Sequence, residues 1–298
     1  MGLNLKNFLI VFLITIVIVS CKEKDISYKE KIIKDEIGNE IHLNSKPLRI
    51  ISAAPNITEI IYAIDAQNML VGRTAFCNYP ESVKNIPVIG DMLNLNFEKI
   101  IELKPDLIFM TVEGNTKETF DKLKTLGVEV YVVNPRDING ILNSIKNIAE
   151  VLDKKDTARA LIDLLQKRID KIHKHNLKFE TAMFVISFVP LMIAGENTFI
   201  NDILKHANLK NISPSTISSY PIISREEVLK KNPDWIFIPS SYSMEEILEY
   251  YPEWKNLSAI KKGKIVFVEP DLFFRPGPRF IDALEFLVEK IKTKNIKD

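Results

Sequence analysis

Hydrophobic and polar positions repeat one unit twice along the chain. Residues 98–110 (EKIIELKPDLIFM) and 226–239 (EEVLKKNPDWIFIP) both begin with Glu, continue with apolar residues at helical spacing, and reach Pro-Asp seven positions later. Proline ends a helix and a short apolar run follows, so each unit predicts an amphipathic helix and then a buried strand. Asn96 and Ser224 precede the two helices as candidate N-caps. This repeat predicts two lobes of similar build.

Strands and helices alternate along the rest of the chain. Continuously apolar runs separated by amphipathic segments indicate parallel sheets covered by helices on both faces. Residues 154–176 contain neither Gly nor Pro, and Leu161, Leu165 and Ile169 recur there at helical spacing. As one helix, these 23 residues would extend about 34 Å at about 1.5 Å per residue, enough to bridge two lobes. The predicted fold is α/β, with two Rossmann-like lobes joined by one long α-helix. The other predicted strands include residues 48–53, 129–133, 181–187 and 264–268.

These elements divide the chain into five predicted parts. A break near Asp153 separates the first lobe from the linking helix, and Gly38-Asn39 predicts the turn of a short hairpin. Residues 271–279 (DLFFRPGPR) are expected to form a loop because of their Pro and Gly content. The parts are a signal peptide (1–20), a tether with the hairpin (21–45), the first lobe (46–152), the interlobe helix (153–177) and the second lobe (178–298).

The amino terminus has the pattern of a secretory signal. Lys6 precedes an apolar run at residues 8–19, which is too short to cross a hydrocarbon core of roughly 30 Å as a helix. Cys21 follows this run, with a serine before it and charged residues after it. This arrangement resembles the bacterial lipobox, although Ile18 and Val19 are not its usual residues, and it implies cleavage before Cys21 and lipidation of its thiol. An uncleaved anchor is the alternative, and either reading puts the rest of the chain outside the cytoplasmic membrane.

Composition argues against several classes of function. The formal net charge of +1 indicates no basic surface for nucleic acid, and GxGxxG, GxSxG and HExxH are absent. Besides Cys21 the only cysteine is Cys77, so no disulfide framework is expected. His173 and His175 do not share one helical face, so no metal site is predicted. Two facing lobes without a catalytic cluster predict capture of a small ligand in the interlobe cleft, with no enzymatic activity and no cofactor.

Several motifs occur together in an order that resembles a known family. From about residue 48 to the end, the chain resembles the substrate-binding proteins of ABC importers for iron chelates and cobalamin. Its Asn-Tyr-Pro segment and the spacing of Asp271 and Arg275 are most similar to the cobalamin-binding branch. The motifs are Arg49-Ile50-Ile51-Ser52 with Pro55 and Thr58-Glu59; Phe76-Cys77-Asn78-Tyr79-Pro80; Asn96-Phe97-Glu98 with Lys104-Pro105-Asp106; Ser224-Arg225-Glu226; and Arg275-Pro276-Gly277-Pro278-Arg279.

The resemblance implies an architecture and a set of partners. It implies the class III, helical-backbone periplasmic binding protein fold, in a monomeric, membrane-anchored lipoprotein. The partners are an ABC permease dimer with its cytoplasmic ATPase. In this family one surface glutamate per lobe pairs with permease arginines, and Glu98 and Glu226 match those positions. A carboxylate at a helix start is also favoured by the helix dipole alone, which is the simpler explanation of both residues.

The resemblance also implies a set of ligand contacts. In the cobalamin branch an aspartate and an arginine in this loop bind the ligand edge, and Asp271 and Arg275 match them; a local ion pair is the alternative. Aromatic and sulfur side chains suit the faces of a large flat macrocycle. Met92, Thr111 and Tyr220 stand where those relatives carry tryptophans, which leaves the ligand open. The side chains expected to line the cleft are Phe76, Met92, Met192 and Tyr220, with Phe273 and Phe274 nearby.

Cobalamin is the predicted ligand, and two alternatives stay open. A receptor for a ferric siderophore or haem would have the same fold, and Tyr220, Met92 or Met192 could then bind haem iron axially. An exported enzyme or chelatase on the same scaffold would need catalytic groups to converge on the cleft, for example Cys77 with a histidine.

Overall fold

The computed structural model describes residues 31–295, so the predicted signal peptide, Cys21 and most of the tether lie outside the described residues. The described part begins with the predicted hairpin, in which β1 (Lys31–Lys34) pairs antiparallel with β2 (Glu40–Leu43). The Asp35 carboxylate accepts hydrogen bonds from the backbone N–H groups of Ile37 (3.1 Å) and Asn39 (2.7 Å), which fixes the turn. Among residues 31–295, no helix is long and apolar enough to span a bilayer.

The first lobe alternates strands with helices, as predicted. Its four-stranded sheet has the order β4-β3-β5-β6 and is parallel throughout. Alternate strand residues enter different apolar clusters: Leu107 and Phe109 pack on one face of the sheet, and Ile108 and Met110 pack on the other. The elements are β3 (Ile50–Ser52), α1 (Pro55–Ala63), β4 (Leu70–Arg73), α2 (Phe97–Leu103), β5 (Leu107–Thr111), α3 (Lys117–Thr125), β6 (Val130–Val133) and α4 (Ile138–Val151).

The long helix between the lobes is shorter than the sequence predicts. It is α5 (Lys155–His173), and its 19 residues extend about 28 Å at about 1.5 Å per residue. The break at Asp153 is confirmed, since this residue has a φ of 59° and separates α4 from α5. At the other end, the His173 ring stacks on His206 of the second lobe, with centroids 4.9 Å apart.

The second lobe differs from the first in its sheet. The order is β11-β10-β7-β8, with β9 also paired to β7; the β7–β8 pairing is antiparallel and the others are parallel. The expected loop at residues 271–279 was partly wrong, because Pro270 starts a short helix there. The elements are β7 (Glu180–Phe188), β8 (Leu191–Ile193), α6 (Phe199–His206), β9 (Leu209–Asn211), α7 (Arg225–Lys231), β10 (Trp235–Pro239), α8 (Met244–Tyr250), α9 (Ser258–Lys261), β11 (Ile265–Val268), α10 (Pro270–Phe273) and α11 (Phe280–Asn295).

The two lobes share one apolar core instead of having fully separate ones. A single cluster of buried side chains includes Ile57 of α1, Ile145 of α4, Leu165 of α5 and Phe280 of α11. Helix α6 contacts α4 directly, and α11 packs on both α5 and α6. The first lobe is therefore joined to the second by packed side chains as well as by the linking helix.

The repeated helix and strand units have the same local construction. Asn96 caps α2 by accepting from Lys99 N at 2.9 Å, and Ser224 caps α7 by accepting from Glu227 N at 3.1 Å. The first residue after each helix is left-handed, with φ of 47° at Lys104 and 40° at Asn232, and Pro-Asp follows.

The Pro-Asp aspartates explain why the unit recurs. Asp106 Oδ2 accepts from the backbone N–H groups of Leu48 and Arg49, both at 2.8 Å, just before β3. Asp234 Oδ2 accepts from the backbone N–H of Thr181 at 2.9 Å and from its hydroxyl at 2.8 Å, at the start of β7. Each aspartate thus satisfies backbone donors at the amino end of the strand that begins its lobe.

Candidate ligand-binding cleft

The segments that follow the carboxyl ends of the strands face each other across a cleft. Asn56, after β3, donates through Nδ2 to the carbonyl of Pro276 in the second lobe at 3.4 Å. Tyr220, after β9, donates through its hydroxyl to Glu113, after β5, at 3.3 Å. Such carboxyl-end crevices are where open α/β sheets commonly bind ligands. Two groups of polar contacts between the lobes lie here, one at each end of this cleft.

The first group, here called the Glu59 network, is an ionic contact buried between the lobes. Glu59 is on α1, and its side chain is only 2% exposed. Its carboxylate accepts from Arg279 Nε (2.9 Å) and Nη2 (2.6 Å) and from Arg275 Nη1 (3.4 Å). Burial acts to lower the pKa of Arg279, but the hydrogen bond to Glu59 and its charge outweigh this and raise it. One carboxylate of the first lobe therefore holds two guanidinium groups of the second.

The same network brings together three of the predicted ligand contacts. Arg275 Nη2 donates to the Phe76 carbonyl (3.2 Å) and lies 2.6 Å from Asp271 Oδ1. Asn78 donates to Asp271 Oδ2 (2.8 Å) and accepts from Arg275 Nη1 (2.7 Å). The Arg275 side chain is 10% exposed and binds protein groups on both terminal nitrogens, whereas Asp271 is 40% exposed. Asp271 can therefore face a ligand directly, while Arg275 holds Asp271 and the Phe76 backbone.

The second group, here called the Glu113 cluster, lies at the other end of the cleft. Glu113 pairs with Arg136 Nη1 at 2.5 Å and accepts from the Tyr220 hydroxyl at 3.3 Å. Arg136 Nη1 also reaches the Ser219 hydroxyl of the second lobe at 3.5 Å. Burial raises the pKa of Tyr220, and the charge of Glu113 raises it further, so the phenol remains protonated.

The two predicted methionines lie beside this cluster. The Met92 carbonyl accepts from Asn115 Nδ2 at 2.8 Å, and Gly114, at φ 120°, leaves room for the Met92 side chain. Met192 forms an antiparallel bridge with Ile222, just after Tyr220 in the chain. Beside them, a polar cavity of about 380 Å³ is lined by both lobes, including Arg136, Ser219, Glu196, Asn197 and Lys205.

Apolar side chains on the cleft segments are exposed to solvent. Phe76 is 56% exposed and Val189 is 70% exposed, on opposite lobes. Soluble proteins rarely leave contiguous apolar surface uncovered unless it has a partner, so this surface indicates a binding site. The other exposed apolar residues on these segments are Leu93, Val112, Ile217, Ile222 and Phe274.

Some expectations about the cleft were wrong. Phe273 is fully buried and packs against Phe184, with ring centroids 5.5 Å apart, because α10 turns it into the core. Thr111 is also buried, at 2% exposed, so it offers the cleft little surface. Cys77 is buried, and within residues 31–295 its thiol contacts the hydroxyl of Thr74 and no histidine.

Four charged residues of the two groups were not identified as site residues from the sequence. Glu59 and Arg279 are in the recognised motifs Thr58-Glu59 and Arg275-Pro276-Gly277-Pro278-Arg279, so a signal existed. Glu113 and Arg136 follow β5 and β6, and only the adjacency of those strands brings them together. No local sequence pattern reports that adjacency.

Glu98 and Glu226 occupy equivalent places on the two lobes. Each is the second residue of its helix, α2 or α7, and each is exposed. The pKa of Glu226 is lowered by its own backbone N–H and by the Ser224 hydroxyl. Both carboxylates therefore lie at a helix start, where the helix dipole favours them, and are open to a partner.

Comparison with known proteins decides the family. The family model described as periplasmic binding protein matches residues 50–272. The chain belongs to the periplasmic binding protein family. It is 30% identical to the uncharacterized ABC transporter substrate-binding lipoprotein YvrC of Bacillus subtilis (strain 168), over 93% of this chain and 92% of that protein.

Solved structures of other members have the same fold. The periplasmic vitamin B12-binding protein BtuF of Vibrio cholerae superposes with a TM-score of 0.74 at 25% identity, covering 84% of this chain and 98% of that one. A possible iron-binding periplasmic solute-binding protein from Staphylococcus epidermidis gives a TM-score of 0.73 at 30% identity, covering 83% and 99%.

Family membership gives the general function. The chain is a substrate-binding protein of an ABC transporter, in a family whose members include a vitamin B12-binding protein and a possible iron-binding protein. Members are extracytoplasmic transport proteins, not enzymes, and their role implies a permease, an ATPase and a small-molecule ligand.

Breaking the Glu59 network should destabilise the protein strongly. We expect Glu59→Ala to lower the free energy of unfolding by about 3–5 kcal/mol, because two arginines would lose a buried partner. The matched control is Glu285→Ala. Arg168 there bridges Asp282 (2.6 Å) and Glu285 (2.7 Å) in a half-exposed cluster, so the expected loss is below about 1 kcal/mol. Urea denaturation measures both, and equal losses would contradict a special role for Glu59.

Proposed function

We propose that this protein captures cobalamin in the cleft and delivers it to the membrane permease. The observation that carries the proposal is the exposed apolar surface contributed by both lobes between two polar groups. A corrin ring is large and mostly apolar on its faces, which Phe76 and Tyr220 can contact from different lobes. Met92 and Met192 can adapt to its irregular outline. The likeness to the B12-binding protein of Vibrio cholerae supports this choice of ligand.

The rim of the corrin would meet the Glu59 network. Amide side chains around a corrin can donate hydrogen bonds to the exposed carboxylate of Asp271, which has unused acceptor positions. Arg275 then contributes by holding Asp271 in place at 2.6 Å and by fixing the Phe76 backbone. In this arrangement Arg275 supports the site and does not contact the ligand directly, because most of its N–H donors are already bonded to protein groups.

A receptor for an iron chelate or haem is the second candidate. The possible iron-binding protein of Staphylococcus epidermidis has the same fold at 30% identity, which supports it. Axial ligation by Tyr220 would require its phenolate, however, and burial raises the pKa of that hydroxyl. This cost favours cobalamin over haem bound through Tyr220.

Calorimetric titration with cyanocobalamin tests the ligand. We expect submicromolar, one-to-one binding that Phe76→Ala and Asp271→Ala each weaken about tenfold, since each removes a contact of roughly 1.4 kcal/mol. Phe179→Ala is the matched control: Phe179 is 65% exposed, but it precedes β7 at the amino edge of the sheet. If cyanocobalamin does not bind and haem or a ferric siderophore binds tightly, the proposed ligand is wrong and the compound that binds takes its place. Equal losses from Phe179→Ala would contradict the assignment of the cleft.

We infer that Glu98 and Glu226 form the permease contacts, one on each lobe. Their matching positions and exposure support this role. Exposed charges of this kind set the orientation and rate of association more than the affinity of a complex.

Transport measurements separate docking from simple helix stabilisation. Glu98→Ala and Glu226→Ala should each abolish most ligand-stimulated ATPase activity of the reconstituted transporter while leaving ligand affinity unchanged. Glu118 and Glu245 are the second residues of α3 and α8, so their alanine variants carry the same helix-dipole cost. Full activity in those two controls is expected. A similar loss in all four variants would assign the effect to the helices.

We also infer that Cys21 carries a lipid that anchors the protein outside the cytoplasmic membrane. Its position after the apolar run supports this, as does the lipoprotein name of the Bacillus subtilis relative. Metabolic labelling with a palmitate analogue should mark the wild-type chain and not Cys21→Ser. Equal labelling of both would reject this anchor site.

A further inference from the structure

Arg73 is a buried arginine bonded to backbone carbonyls. It is the last residue of β4 and is 7% exposed. Its Nε donates to the carbonyl of Val83 (2.9 Å), Nη1 to those of Thr74 (3.1 Å) and Cys77 (3.0 Å), and Nη2 to that of Lys84 (3.3 Å). Within residues 31–295 its guanidinium forms no ion pair, and these four carbonyls are its acceptors.

The four carbonyls belong to one segment, residues 74–84, which curls around the guanidinium. Few backbone hydrogen bonds hold the first part of this segment: Ala75 N donates to Gly90 O (2.8 Å) and Cys77 N to Thr74 O (3.1 Å). A planar guanidinium with five N–H donors can bond carbonyls that lie in different directions. Residues 81–85 form a short 3-10 helix, so Arg73 supplies hydrogen bonds that the irregular residues 74–80 lack and ties them to this helix.

This segment presents two side chains to the second lobe and exposes a third. Asn78 bonds Asp271 and Arg275, and the Tyr79 ring lies under Arg279, with 4.1 Å from the guanidinium carbon to the ring centroid. Phe76 is exposed on the same segment, whereas Cys77 between them is buried. The side chains that face the cleft thus alternate with one that packs inward.

We propose that Arg73 is a positioning residue for ligand binding. It touches no ligand, but it fixes residues 74–84 in the conformation that places Asn78 against the opposite lobe and leaves Phe76 exposed. The link to ligand affinity rests on the proposed function of the cleft. The ordering of the segment by Arg73 rests on the hydrogen bonds alone and can be measured without any ligand.

The reactivity of the Cys77 thiol reports on this segment. A chain of residues 22–298 contains every described element and has Cys77 as its one cysteine. We expect Arg73→Lys to raise the rate of reaction with 5,5′-dithiobis(2-nitrobenzoate) about tenfold or more. A lysine ammonium cannot bond four diverging carbonyls, so the segment opens more often. Circular dichroism and the thermal midpoint confirm that the variant remains folded.

Arg49→Lys is the matched control. Arg49 also donates to backbone carbonyls, those of Leu103 (2.7 Å to Nη2) and Lys104 (3.2 Å to Nε), but it lies before β3 at the opposite edge of the sheet. Its substitution should leave both the Cys77 rate and ligand affinity unchanged.

Titration with cyanocobalamin and with haem completes the test. Arg73→Lys should weaken whichever probe binds by about tenfold to a hundredfold, as expected for loss of charged hydrogen bonds. In a Phe76→Ala background the same substitution should cost clearly less, because Arg73 acts through the segment that carries Phe76.

The outcomes distinguish this proposal from the proposed function. An unchanged thiol rate in Arg73→Lys overturns the proposal. A raised thiol rate also overturns it if ligand affinity stays at the wild-type value, or if the affinity losses of Arg73→Lys and Phe76→Ala are fully additive. Failure of the wild-type chain to bind either probe contradicts the ligand instead. The thiol rates would in that case still decide whether Arg73 orders residues 74–84.

Discussion

A carboxylate removed from water determines how the two lobes meet. Burying Glu59 without partners would be very unfavourable, and the free energy is recovered only while Arg275 and Arg279 lie against the first lobe. The segment that carries these arginines also carries Asp271, and its contacts include Asn78 and the Phe76 backbone. One edge of the cleft is therefore assembled around a single ionic contact. Its geometry is set before any ligand arrives.

The apolar core has the same effect on a larger scale. Helices α4, α5, α6 and α11 pack together, so side chains from both lobes enter one continuous cluster. A movement of one lobe against the other would have to separate this packing and also break the Glu59 network. Close-packed interiors do not deform continuously, so the arrangement favours a cleft of nearly fixed width. A preformed cleft of this kind reduces the ordering cost that binding would otherwise carry.

The sequence predicted the architecture because local patterns dictate it. The repeated Pro-Asp units, the Gly38-Asn39 turn and the break at Asp153 each depend on neighbours in the chain, and each is present in the structure. Contacts between distant segments were predicted less well. Nothing near Phe273 shows that α10 turns its ring into the core, and the pairing of Glu113 with Arg136 depends on the adjacency of β5 and β6.

Arg275 shows the same limit within a correctly recognised motif. Its spacing from Asp271 pointed to this loop as part of the site, and the structure does bring both residues to the cleft with Phe76. The sequence could not show that Glu59 and Asn78 would also bond its guanidinium, because those residues lie about two hundred positions earlier. A motif identifies which residues meet, but the direction of each donor depends on the whole fold.

The polar and apolar groups of the cleft are used differently, and this bears on the ligand. Most polar groups are already bonded to one another: Arg275 to Asp271, Arg136 to Glu113, and Tyr220 to Glu113. The apolar side chains between them remain exposed to solvent, so burying them would supply most of the affinity. Iron ligation by Tyr220 would require deprotonation of its hydroxyl. Burial and the charge of Glu113 both raise the pKa of that hydroxyl and so oppose its deprotonation. These features fit the proposed ligand, with a broad apolar face and a hydrogen-bonding rim, better than iron bound through Tyr220.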